Sequence, residues 1–184
     1  MRRDPDRGTS LVEVGLILPV LIVLAIGLSE IGFLVVDYLT VSNAAREGAR
    51  TGAAAADFDQ GGVDADDLIL EAVEEAACNL RFGTLEKVLI FKADALGEPT
   101  IGSINEYSPS GALNCSSPLN ALACDNGCPW AASSRNRVPN VAIDVLGVEV
   151  TFSHSSVTGL FPFLSADWTE AAVMQIEPDT KGTQ

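Results

Sequence analysis

Two carboxylates interrupt a stretch otherwise fit for hydrocarbon. In VGLILPVLIVLAIGLSEIGFLVV, from Val14 to Val36, the only ionisable side chain is Glu30, and Glu13 stands immediately before the run. A lone carboxylate in a bilayer core is unfavourable by at least about 2 to 3 kcal/mol, so each acid needs a partner or a path to water. The chemistry available to them is ion pairing or hydrogen bonding between helices. The remaining candidates are fewer. His154 is flanked by Ser153, Ser155 and Ser156, but no GxSxG elbow accompanies it. It reads as an exposed or half-buried polar strand residue, and no enzyme activity is expected.

Four cysteines, Cys78, Cys115, Cys124 and Cys128, all follow the apolar run. An even count in an oxidising compartment suggests up to two disulfides, of unspecified pairing. Cys124 and Cys128 also have the spacing of half a zinc site. The other two are scattered and the sole histidine is distant, so disulfides are favoured over free thiols and over a metal. Asp57 and Asp59 resemble the start of an EF-hand, but Gly61 and Leu68 occupy positions where ligands belong. No cofactor and no metal is expected.

These residues need elements to position them. The 184-residue chain has room for one globular domain and an appended helix. Its net charge of −14 disfavours phosphate backbones, and no nucleic-acid partner is expected. The apolar run exceeds the roughly 20 residues a bilayer core requires and is too long for the core of a cleaved secretory signal. Arg2, Arg3 and Arg7 precede it, so the N-terminus is expected inside and the C-terminal portion outside the cytoplasmic membrane. Pro19 removes one helical hydrogen bond and should kink or loosen the span.

Helix formers continue beyond the membrane, from about Leu11 to Ala55, which is about 65 Å of helix. Ala44, Gly48 and Gly52, with Ala45, Ala49 and Ala53, recur at intervals of four. They form a small-residue face for close packing. Arg46 and Arg50 share a different face. From these features alone, a membrane anchor with an alanine-rich stalk is the simpler reading.

The leader narrows it. MRRDPDRG is short and basic and ends in Gly8, with Glu13 the fifth residue after that glycine. This resembles the type IV prepilin signal. Val12-Glu13, Leu18-Pro19, Ser29-Glu30-Ile31-Gly32 and Asn43-Ala44-Ala45-Arg46-Glu47-Gly48-Ala49-Arg50 further resemble the TadE-like family over about residues 7 to 53. That family comprises minor pilins or pseudopilins of the tight adherence (Flp pilus) system. The resemblance implies cleavage between Gly8 and Thr9 by prepilin peptidase. It also implies pairing of Glu13 with the freed Thr9 amine of a neighbour. The implied partners are other pilin or pseudopilin subunits, the peptidase, an inner-membrane assembly platform and membrane lipid. A single-pass anchored binding module that does not polymerise is the alternative.

The expected organisation is a leader at 1–8, a transmembrane and stalk helix at 9–55, and an extracytoplasmic domain at 56–184. Asp64 is placed to cap a second helix within VDADDLILEAVEEAACNLRF, with Leu68, Ala72, Val73, Ala76 and Leu80 as its apolar face. LEKVLIFKAD reads as a strand, and residues 94–140 as a long loop tethered by cysteines. NVAIDVLGVEVTFSHSS reads as a strand pair or one bent strand, and TEAAVMQIEP as a last strand. The fold class is α+β and pilin-like: a long N-terminal helix packed on a small antiparallel sheet of at least three strands.

Overall fold

The computed structural model describes residues 6–109, 122–138 and 142–178; the side chains of 6–10 lie outside the description, as do Cys115 and residues 1–5 of the leader. Helix α1 runs without interruption over Asp6–Ala55, through Pro19. A two-residue hairpin follows, β1 (Asp59–Gln60) against β2 (Val63–Asp64), turning on Gly61 and Gly62 at positive φ. Helix α2 (Ala65–Ala77) begins at Asp64 as expected. The Asp64 carboxylate accepts from the amides of Asp66 and Asp67, at 2.8 and 3.0 Å. The Asp67 side chain accepts in turn from the Asp64 amide at 2.9 Å.

Five strands follow: β3 (Gly83–Ala93), β4 (Pro99–Pro109), β5 (Leu122–Cys124), β6 (Val145–His154) and β7 (Ala166–Gln175). They form one antiparallel sheet in the order β5-β4-β3-β6-β7. The α+β expectation is met, with two corrections of detail. Residues 99–109 are not loop but a full strand paired with β3. The apolar face of α2 lies about a quarter turn away from the expected one. Ala65, Ile69, Leu70, Val73 and Ala77 are buried, whereas Leu68, Ala72 and Ala76 are only partly covered.

The small-residue face of α1 explains the close packing of the two helices on the sheet. Val41, Ala44, Ala45, Ala49, Ala53 and Ala56 are buried there. A Cβ on Gly48 would fall 2.6 Å from Val73 Cγ2, and one on Gly52 would fall 2.7 Å from Ile69 Cδ1. Both glycines therefore admit side chains of α2 that any larger residue would displace. From the sheet, Leu85, Val88, Ile90, Leu146, Val148, Val150 and Phe152 complete the core. A bulge between Leu85 and Lys87 lets Leu85 and Val88 face the same side although three residues apart.

A buried polar cluster closes the end of the domain far from the apolar run. Asp66 accepts from Asn105 Nδ2 and from the Tyr107 hydroxyl, both at 2.7 Å, and pairs with Arg135. Arg135 also donates to the Ala56 carbonyl at 3.2 Å and lies 4.5 Å from the centre of the Trp130 ring. Asn105 and Trp130 exchange two hydrogen bonds through the Trp130 backbone. Burial, with Asp66 alongside, pushes the Tyr107 hydroxyl well above its usual pKa. Cys124 and Cys128 form a disulfide, and the loop between them hangs from β4 through Asn126. Cys78, the C-cap of α2, is also disulfide-bonded.

Glu74 on α2 is buried, and its Oε2 has no hydrogen-bond partner among the described residues. Burial first and Glu71 second raise its pKa from 4.5 to about 7. Between those two values the folded chain holds a proton that the unfolded chain has released, so stability falls as pH rises through that window. Glu74→Gln should flatten this part of the profile. It should also stabilise the protein above neutral pH by up to about 2 kcal/mol, as measured by denaturant titration at several pH values.

Candidate functional site

Helix α1 divides into a bare part and a held part. Every residue from Leu11 to Ala25 is exposed, Leu11 and Leu16 at 76% and 73%. Glu13 lies on this bare stretch and makes no hydrogen bond or ion pair with a described residue. Gly8 and Thr9 continue the helix below it. Pro19 and Gly15, whose carbonyl Pro19 leaves without its helical donor, are also uncovered. Over Leu11–Ala55 the helix is long and apolar enough to cross a membrane.

The held part begins at Gly27, where a Cβ would lie 3.2 Å from Phe161 Cζ. One turn on, Glu30 is 1% exposed although it belongs to the apolar run. Its carboxylate accepts from the amides of Val157 (2.9 Å) and Thr158 (2.6 Å). It also accepts from the hydroxyls of Thr158 (2.6 Å) and Ser156 (3.3 Å). All four donors belong to the loop between β6 and β7. Four donors converging on one carboxylate compensate for the loss of water. Within the chain, Glu30 is thus occupied by its own α+β domain.

A second carboxylate holds the next level. Asp37 is fully buried and lies 2.9 Å from His154 Nδ1, and it accepts from the Arg81 amide at 3.2 Å. Phe33 and Phe82 pack between the two levels, their ring centres 4.6 Å apart. His154 is therefore not the exposed or half-buried residue expected of its polar neighbours. It ends β6 facing inward, at 2% exposure. Its Nε2 is buried without a partner among the described residues, and Ser153 is turned away toward Glu86 at 2.6 Å. The pair has the geometry that orients an imidazole, and the side chain is closed to solvent, with no described residue hydrogen-bonded to the other nitrogen. Its role here is to fasten β6 to α1.

The sequence reading did not find Asp37. The only cue was its place as the first charge after the apolar run. At the level of Asp37, Tyr38 and Trp168 line an apolar groove with Leu34 and Val35, and Glu170 pushes the Tyr38 hydroxyl pKa up. Arg50 pairs with Glu47 on the exposed face rather than acting with Arg46. Asp57 pairs with Arg137, and Asp59 is taken up in the hairpin.

The fold and these carboxylates define a protein with one N-terminal apolar helix, long enough to anchor it, whose far half is built into a small α+β domain. Residues 8–50 match the family model described as TadE-like protein, in agreement with the resemblance read from the motifs. The match covers the bare helix, both carboxylate levels and most of the small-residue face, and ends before the outer domain. No curated protein and no solved structure matches the chain.

Removing the Glu30 carboxylate should free the loop it holds. In Glu30→Ala, hydrogen exchange at the Val157 and Thr158 amides should accelerate about 30-fold, the equivalent of about 2 kcal/mol of local opening. Amides in β3 should be unaffected. Unchanged exchange at 157 and 158 would show that the carboxylate does not hold the loop.

Proposed function

We propose that this chain is a minor pilin or pseudopilin of a tight adherence (Flp-type) pilus system, acting in pilus assembly, surface adhesion or secretion. Prepilin peptidase cuts after Gly8, and the apolar helix then carries the subunit from the cytoplasmic membrane into a fibre at an inner-membrane assembly platform. The N-terminus is inside, the α+β domain outside, and the protein has no enzymatic role.

The observation that carries this reading is the contrast between the two acids of the family-matched segment. Glu30 is met by four donors of its own chain, whereas Glu13 meets none among the described residues and sits on an exposed stretch of helix. A carboxylate in that position requires a cation from outside the molecule. Cleavage after Gly8 creates one, since an α-amino group is protonated near neutral pH. Glu13 of one subunit facing the Thr9 amine of the next satisfies both charges and sets the axial register.

Mass spectrometry of membrane-extracted protein should find Thr9 at the N-terminus, and Gly8→Ala should accumulate the uncut precursor. If the functional protein retains MRRDPDRG, it is a membrane-anchored binding module and not a fibre subunit. Glu13→Ala should still be cleaved but should be absent from sheared pili on immunoblots; normal incorporation would refute the pairing.

A further inference from the structure

The bare part of α1 is too short for the membrane that it has to cross. The first five residues of α1, Asp6–Ser10, are polar, and the apolar bare stretch from Leu11 to Ala25 measures about 22 Å at 1.5 Å per residue, against about 30 Å of hydrocarbon. The apolar sequence continues to Val36, but from Gly27 onward that stretch is covered on one side by the loop between β6 and β7. The missing depth can therefore be filled only if this loop enters the bilayer beside the helix or if the bilayer thins around the protein.

The loop has the composition for entry. Residues 155–166, SSVTGLFPFLSA, carry no charge in a chain of net charge −14. Leu160 and Phe163 are 57% and 76% exposed, and Phe161 turns inward to meet Gly27. The backbone is equally prepared. Irregular backbone tolerates membrane depth only where its polar groups are satisfied inside the protein. Five consecutive amides, from Ser156 to Leu160, all donate within the chain. Ser156 donates to Ser165 Oγ, Val157 and Thr158 to Glu30, Gly159 to Ser156 Oγ, and Leu160 to Thr158 Oγ1. Glu30, enclosed by these donors, is shielded from lipid by the same contacts. Tyr38 and Trp168, both partly exposed, stand above the loop where amphipathic rings favour the headgroup layer.

We propose that the β6–β7 loop is a lipid-embedded foot, inserted in the outer leaflet through Leu160, Phe163 and Val157, and that the membrane-embedded unit is α1 together with this loop. The inference rests on α1 being a membrane anchor and does not depend on fibre assembly. Glu30 then serves to carry the loop's amides into the membrane rather than to contact another helix.

The test uses the full-length protein in phosphatidylcholine/phosphatidylglycerol vesicles with or without brominated acyl chains. Phe163→Trp and Val20→Trp are each made on a Trp168→Phe background, leaving only the buried Trp130 as a constant signal. Phe163→Trp should give blue-shifted emission that brominated lipid quenches, as it quenches Val20→Trp. Quenching of Val20→Trp without quenching of Phe163→Trp overturns the foot and leaves the anchor standing, with the bilayer thinned instead. Quenching of neither overturns the anchor and the foot together. Emission from Phe163→Trp that depends on the protein-to-lipid ratio and not on bromine assigns the loop to contacts between copies and also overturns the proposal.

Discussion

A carboxylate can leave water only if donors replace the water it loses, and two such replacements decide the lower half of this molecule. Glu30 and Asp37 stand on one face of α1, two turns apart, and each collects hydrogen bonds from an outer-domain segment far away in sequence. The β6–β7 loop is held by the first, and the α2–β3 connection and the end of β6 by the second. Without them, the lower end of the held part would be fixed mainly by side-chain packing, the backbone bonds to Ala53 and Ala56 lying at the far end of the helix. With them, the position at which bare helix becomes domain helix is set by directional bonds.

Above that junction α1 changes solvent, and its sequence changes accordingly. The leucine, isoleucine and valine of the bare stretch give way to alanine and glycine where the helix meets the tightly fitted side chains of Ile69, Val73, Leu146 and Val148. The far end is sealed by the Asp66 cluster, in which a buried charge is held by Arg135, Asn105 and Tyr107. Breaking one partner of such a cluster leaves the others desolvated and unmatched, so it functions as a unit.

The elements governed by local periodicity were the ones legible in sequence. The long helix, its small-residue face, the Asp64 cap, β3 and β7 all follow from spacing alone. Strand β4 was not legible because PTIGSINEYSP hides its pattern. Its inward positions include Asn105 and Tyr107, polar residues whose burial makes sense only once Asp66 and Trp130 are in place. The face of α2 was misjudged for the same reason, since Asp66 and Glu74 lie on its buried side. His154 looked like a polar strand end because its partner, Asp37, is more than a hundred residues away. Of the site, the leader and Glu13 were visible as a motif. The engagement of Glu30 by a loop was not, because no pattern within a single segment encodes it.

The unbroken course of α1 has a mechanical consequence. The helix is both the spine of the α+β domain and the bare segment that is apolar enough to cross a membrane, with no break in the helix between the two roles. A domain joined in this way cannot swivel on its tether. The azimuth of the helix in its surroundings dictates which edge of the sheet, β5 or β7, points toward a given neighbour. A sideways load on the outer domain is delivered to the buried end as torque along a stiff lever, instead of being dissipated at a flexible joint.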